Sequence, residues 1–143
     1  MDELQKEYRV ETSRFYYDYA DGLAIVIDSA TGTYYGMNVL GSAVFDQLVH
    51  GAAPAEVLDQ LRQMTGCPLQ IEQTFIHFLS QVRDFGLLVA EEKQGKPAQS
   101  FDEKVTADGF LLEVKEFAEI QEILLADPIH DVQSDFGWPV LKN

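Results

Sequence analysis

Cysteine is almost missing from this chain. Cys67 stands alone, so no internal disulfide can close, and thiols cannot supply a structural zinc site or a Cys-x-x-Cys redox pair. Positive charge is scarce as well. Ten Lys and Arg stand against 24 Asp and Glu, a formal net charge of -14. The excess is spread out: 14 acidic and 5 basic side chains lie up to Glu92, and 10 and 5 beyond it. A field of that sign repels phosphates and argues against a protein that grips a nucleic-acid backbone with Lys and Arg. Long apolar runs are lacking too. Nothing approaches the roughly 18 residues of a membrane span, and Met1-Asp2-Glu3-Leu4-Gln5-Lys6-Glu7 has neither the cationic nor the apolar part of a secretory signal. The expectation is a cytoplasmic protein with no membrane and no nucleic-acid partner.

Chemistry-bearing sets are equally hard to assemble. His50 and His77 have no paired ligand at i, i+4, and His130 with Asp127 and Asp131 sits in an irregular terminal stretch. Ser42 and Ser80 lack the flanking glycines of a hydrolase elbow, and no base can be placed beside Cys67. The sequence therefore leads us to expect no catalytic residue, no metal and no cofactor, and a protein that is not an enzyme.

What is present is enough apolar mass for one core: 46% hydrophobic and 11% aromatic residues in 143. The aromatic-rich stretch from Arg14 to Tyr19, the β-branched run Leu23 to Ile27, and Thr33 to Met37 beyond the turn formers Asp28 to Gly32 read as three strands of an antiparallel meander. Asn38 can cap a first helix that buries Leu40, Val44, Phe45 and Leu48 and stops at His50-Gly51. A second starts at Pro54, buries Val57, Leu58, Leu61 and Met64, and ends at Thr65-Gly66. The third runs from about Gln70 to Phe85 with a stripe of Ile71, Phe75, Phe78, Leu79, Val82 and Phe85, and a hairpin is expected after Gly86. The fold class is α+β, winged helix-turn-helix-like: an N-terminal three-stranded antiparallel sheet on three helices, followed by a C-terminal extension.

Apolar stripes of this kind mostly face interiors, yet Ile76 and Phe78 widen the arc beyond one core contact. A strand left unpaired beside a Phe-rich helix suits an extended peptide lying in the groove between them. His77 and Arg83 flank that arc and could meet a peptide carboxylate.

Tyr35-Gly36-Met37-Asn38, Gly41, Val44-Phe45, the Gly51 break, Leu58, Leu61, Phe78-Leu79 and Gly86-Leu87-Leu88 stand in an order that resembles the PqqD-like family, over about residues 15–91. Members are winged-helix recognition elements that bind the leader of a ribosomally made precursor peptide and present it to a modifying enzyme. The resemblance implies a leader added as a strand along Thr33, Tyr34, Tyr35, Gly36 and Met37. Its side chains would enter pockets near Tyr35, Met37, Phe75, Phe78, Leu79 and Val82. The acidic surroundings would favour a leader with Lys or Arg.

Residues 1–92 thus form the expected recognition domain and 93–109 a polar, breaker-rich linker. Residues 110–143 form an extension that the family pattern does not require. Within it Phe110 to Val114 could be a strand, while Val114, Phe117, Ile120, Ile123, Leu124 and Leu125 fit a helix better. Asp127 to Trp138 looks too irregular for either. The extension is laid out like a precursor, so Leu111 to Leu125 could fill the groove in cis and present the terminus for modification. A docking extension anchored by Trp138 is the plainer reading, and exchange of the tail or a strand would give a homodimer. A winged-helix DNA-binding regulator is the competing class, although its recognition helix should be basic. A plain subunit of a larger synthetase or transporter is the third.

Overall fold

The computed structural model describes residues 2–118. After a 3-10 turn at Glu3–Gln5 come β1 (Lys6–Arg9), β2 (Phe15–Ala20), β3 (Leu23–Asp28) and β4 (Tyr34–Met37), then α1 (Val39–Val49), α2 (Pro54–Arg62) and α3 (Ile71–Asp84). β5 (Val89–Gln94), a 3-10 turn at Glu103–Thr106 and β6 (Val114–Phe117) complete the order. The class is α+β, with three helices and antiparallel sheets among the described residues.

The main sheet has four strands in the order β2-β3-β4-β6, not the three expected. Tyr17 pairs with Val26, Val26 with Tyr35, and Tyr35 with Glu116, every pair antiparallel. The second sheet is the pair β1-β5. β5 therefore joins the N-terminal strand, through Tyr8 opposite Ala90 and Arg9 opposite Val89, where a hairpin had been expected. Strand β1 escapes a hydropathy reading because it opens on Lys6, a lysine only 7% exposed. Its ammonium reaches Glu3 at 3.0 Å and Glu92 at 2.8 Å, and those partners, Glu92 first, raise its pKa and keep it charged.

The helices follow their local signals. The Asn38 side chain accepts the Gly41 N–H and caps α1, which buries Leu40, Val44, Phe45 and Leu48. Pro54 opens α2, and Val57, Leu58, Leu61 and Met64 go inside. α3 turns Ile71, Phe75, Phe78, Leu79 and Val82 into the core beneath the sheet. Gly86 ends that helix at φ 83°.

The segment 93–109 is strapped to the helical layer. Gly95 N–H donates to the Gln5 carbonyl, Lys96 N–H to Gly51, and Ala53 N–H to Lys96. Gln47 fixes the Gln99 backbone twice, donating to its carbonyl at 2.7 Å and accepting its N–H at 2.8 Å. Ala98, Phe101, Val105 and Phe110 pack against the core. Residues 114–117 are extended, where the sequence leaves strand and helix open: the free hydrogen-bonding edge of β4 decides a conformation that periodicity does not. Ile120 to Leu125, the terminus from Asp127 to Trp138, and the Trp138 anchor lie outside the described residues.

Candidate functional site

The edge of β4 and the adjoining side of α3 meet around a segment that returns from far along the chain. Met37 faces Val114, Gly36 faces Lys115, Tyr35 faces Glu116 and Tyr34 faces Phe117. Asn38 N–H also donates to the Glu113 carbonyl at 3.3 Å. Hydrogen-bonded and non-bonded pairs alternate in an antiparallel ladder, so Gly36–Lys115 and Tyr34–Phe117 are the pairs that exchange hydrogen bonds.

Leu112 and Val114 are buried at 5% and 6% exposure, whereas Lys115 and Glu116 face water. Phe117 is half-buried on the opposite face of the sheet. There it lies over Gly36: a Cβ on Gly36 would stand 3.7 Å from the Phe117 ring and 3.7 Å from Ile25 Cδ1. A second glycine admits the approach at the other end. A Cβ on Gly41 would fall 2.7 Å from Asn38 Oδ1, 3.0 Å from the Glu113 carbonyl and 3.2 Å from the Phe78 ring, so α1, α3 and the incoming chain converge on a residue without a side chain.

Asn38 holds that junction. Its Nδ2 donates to the Leu111 carbonyl at 2.7 Å, and its Oδ1 accepts the N–H of Glu113 at 3.0 Å and that of Gly41 at 3.0 Å. One side chain thus caps a helix and grips both sides of Leu112. Of these roles only the cap is signalled by the local sequence. The clamp has no local signal, because its partners lie 73 and 75 residues away.

The residues expected in or beside the groove divide into four sets. Thr33, Tyr34 and Gly36 are half-buried on or beside the β4 edge. Tyr35, Met37, Phe75, Phe78, Leu79 and Val82 are buried with β6 in place, and the Phe78 ring and the Glu113 carbonyl both border Gly41. Tyr35 packs on Phe85 with ring centroids 4.9 Å apart; burial, and after it the Glu116 carboxylate, raises its phenol pKa. Arg83 is committed to the N-terminal segment, 2.9 Å from Glu3 and 5.4 Å above the Tyr8 ring. His77 and Ile76 lie on the outer side of α3, where they line an open depression of about 980 Å³ with Leu69, Gln73 and Ser80.

At the far end of β4, Asp28 anchors the turn that leads into the strand. Its carboxylate takes two hydrogen bonds from Arg14, at 2.9 and 2.6 Å, and one from the Ala30 N–H. The Arg14 guanidinium, ahead of the backbone bond, lowers its pKa to about 2. No group of three metal-ligating side chains comes together among the described residues, and no helix among them is long and apolar enough to cross a membrane. Comparison with protein-family models, with curated proteins and with solved structures gave no match.

Proposed function

We propose that this protein is a non-catalytic peptide-recognition protein with a winged-helix-like domain. In this reading it binds the leader of a ribosomally made precursor as an added strand and presents it to a modifying enzyme. The observation that carries the reading is the pairing of β4 with β6: an antiparallel strand from a remote segment lies against α3 and gains its hydrogen bonds from an otherwise open edge. Strand addition draws affinity from the main chain and selectivity from alternate side chains, and Leu112 with Val114 already shows that alternation. The order of motifs resembling the PqqD-like family supports the same use of the same edge.

NMR titration of the full chain with precursor peptides encoded beside its gene tests the proposal. Shifts at Thr33 to Met37 and along the inner side of α3 are expected. Shifts confined to other surfaces would overturn it.

A second reading is favoured by the identity of the occupant, which belongs to the chain itself. Residues 111–117 would then act as a tethered leader and the residues after 118 as the substrate in cis. Mass spectrometry after coexpression with a peptide-modifying enzyme encoded nearby decides between the two: a mass change within 119–143 is the in-cis result. A DNA-binding role finds less support, since the only cation within α3 is Arg83 and Glu3 already engages it.

A further inference from the structure

The occupant of the β4 edge also states what the edge selects. We infer that it takes extended peptides bearing two aliphatic side chains at alternate positions and an aromatic one three residues after the second, in a register fixed by Asn38. This rests on the peptide-binding reading above and adds its ligand class and its specificity residues.

The register comes from the two arms of one amide. Nδ2 donates to the carbonyl preceding Leu112, and Oδ1 accepts the N–H following it. Only the residue between those two groups can sit where Leu112 sits, so the main chain is positioned before any side chain is tested. Leu112 and Val114 then enter the core side of the sheet. A slip of one residue would turn Glu113 and Lys115 inward, burying charge without a partner.

The aromatic position lies on the opposite face and is created by an absence. Gly36 leaves the ledge on which Phe117 rests beside Ile25, and a methyl there would make ordinary contact at 3.7 Å. A branched side chain would take the place of the ring. Aliphatic and aromatic selection are therefore carried by different faces and can be removed separately.

The test uses the full chain with Val114→Asp, which frees the edge from its own strand, and a fluorescein-labelled peptide of residues 109–118 followed by anisotropy. Leu112→Ser or Phe117→Ala in the peptide is expected to weaken binding about tenfold or more, the equivalent of losing one buried apolar side chain. Adding Gly36→Val to the protein should remove the penalty for Phe117→Ala while keeping that for Leu112→Ser. Adding Asn38→Asp should weaken the parent peptide about tenfold, because a carboxylate keeps the cap of α1 but faces the Leu111 carbonyl without a donor. Circular dichroism should show α1 retained.

If Val114→Asp does not fold, Lys115→Pro serves as host, since it removes a ladder donor and no core side chain. Binding that ignores Leu112, Phe117 and Asn38 would overturn the pattern and leave the peptide-binding reading standing. No binding of any sequence to a folded host would overturn both.

Discussion

Placing a carboxylate at position 114 asks whether β6 is a guest or a pillar. In the native arrangement Leu112 and Val114 contribute about 3–6 kcal/mol by leaving water. The three hydrogen bonds between Asn38 and residues 111 and 113 add about 1 kcal/mol each. Ordering residues 111–117 costs about 7–14 kcal/mol, and the ladder bonds to β4 bring the two sides to within a few kcal/mol of each other. Val114 is 6% exposed and faces Met37, so Val114→Asp forfeits its apolar gain and buries an unpaired charge at several kcal/mol. The strand is expected to let go.

Because its net contribution is small, the rest of the domain should lose no more than about 3 kcal/mol, well inside the range of an ordinary core substitution. Amide hydrogen exchange followed by NMR reads the outcome residue by residue. Protection should disappear at Gly36 and Tyr34, the β4 members of the bonded pairs with β6, and persist in β2 and β3 and along α1. If protection in β2 and β3 falls in parallel with that of Gly36, β6 is integral to the core, and the view of β4 as an edge that can be vacated is refuted.

Three further outcomes follow from particular contacts. Asp28 titrates near 2 instead of its ordinary 3.8, so its pairing with Arg14 stabilises the fold fully above about pH 4 and ceases to do so as pH falls through 2. Thermal melts between pH 5 and 2 should show a shallower acid decline in Arg14→Gln than in the parent, and equal slopes would count against the assignment. Gly95→Ala should destabilise by about 1–3 kcal/mol in urea melts. Its Cβ would lie 2.6 Å from Ala53 Cα and 2.7 Å from Ala53 N, atoms that cannot swing aside; an unchanged midpoint would show that the strap is loose. Burial, partly opposed by Arg62, raises the pKa of the Cys67 thiol, so alkylation by iodoacetamide at pH 7.5 should run well behind that of the urea-unfolded chain. Equal rates would contradict it.

How far the sequence reached depended on whether an element carried its own instructions. Leu23 to Ile27 is a β-branched run between turn formers, Asn38 and Pro54 sit at helix starts, and the stripe of α3 has one period, so those elements were legible. β1 was not, since Lys6-Glu7-Tyr8-Arg9 looks like surface until the acidic partners of Lys6 are known. Residues 93–109 looked like a linker because much of their order comes from hydrogen bonds to Gln5, Gly51, Ala53 and the Gln47 side chain, which leave no mark on hydropathy. At the candidate site the strand Thr33 to Met37 and the apolar face of α3 were readable. Asn38 as a clamp and Phe117 on Gly36 were not, because each depends on which remote segment arrives and in what register. For Arg83 only its position on the helix was readable, not the competing claim of Glu3 and Tyr8.

The direction in which β6 is threaded sets a doorway. It comes in beside Asn38 at the start of α1 and leaves past Tyr34, at the corner where Arg14 and Asp28 lock the turn. Any polypeptide laid down with the same polarity would have its downstream portion delivered to that corner and its upstream portion held at the other end. On the peptide-presentation reading proposed above, a processing enzyme working on the downstream portion would therefore find it next to the 28–33 turn.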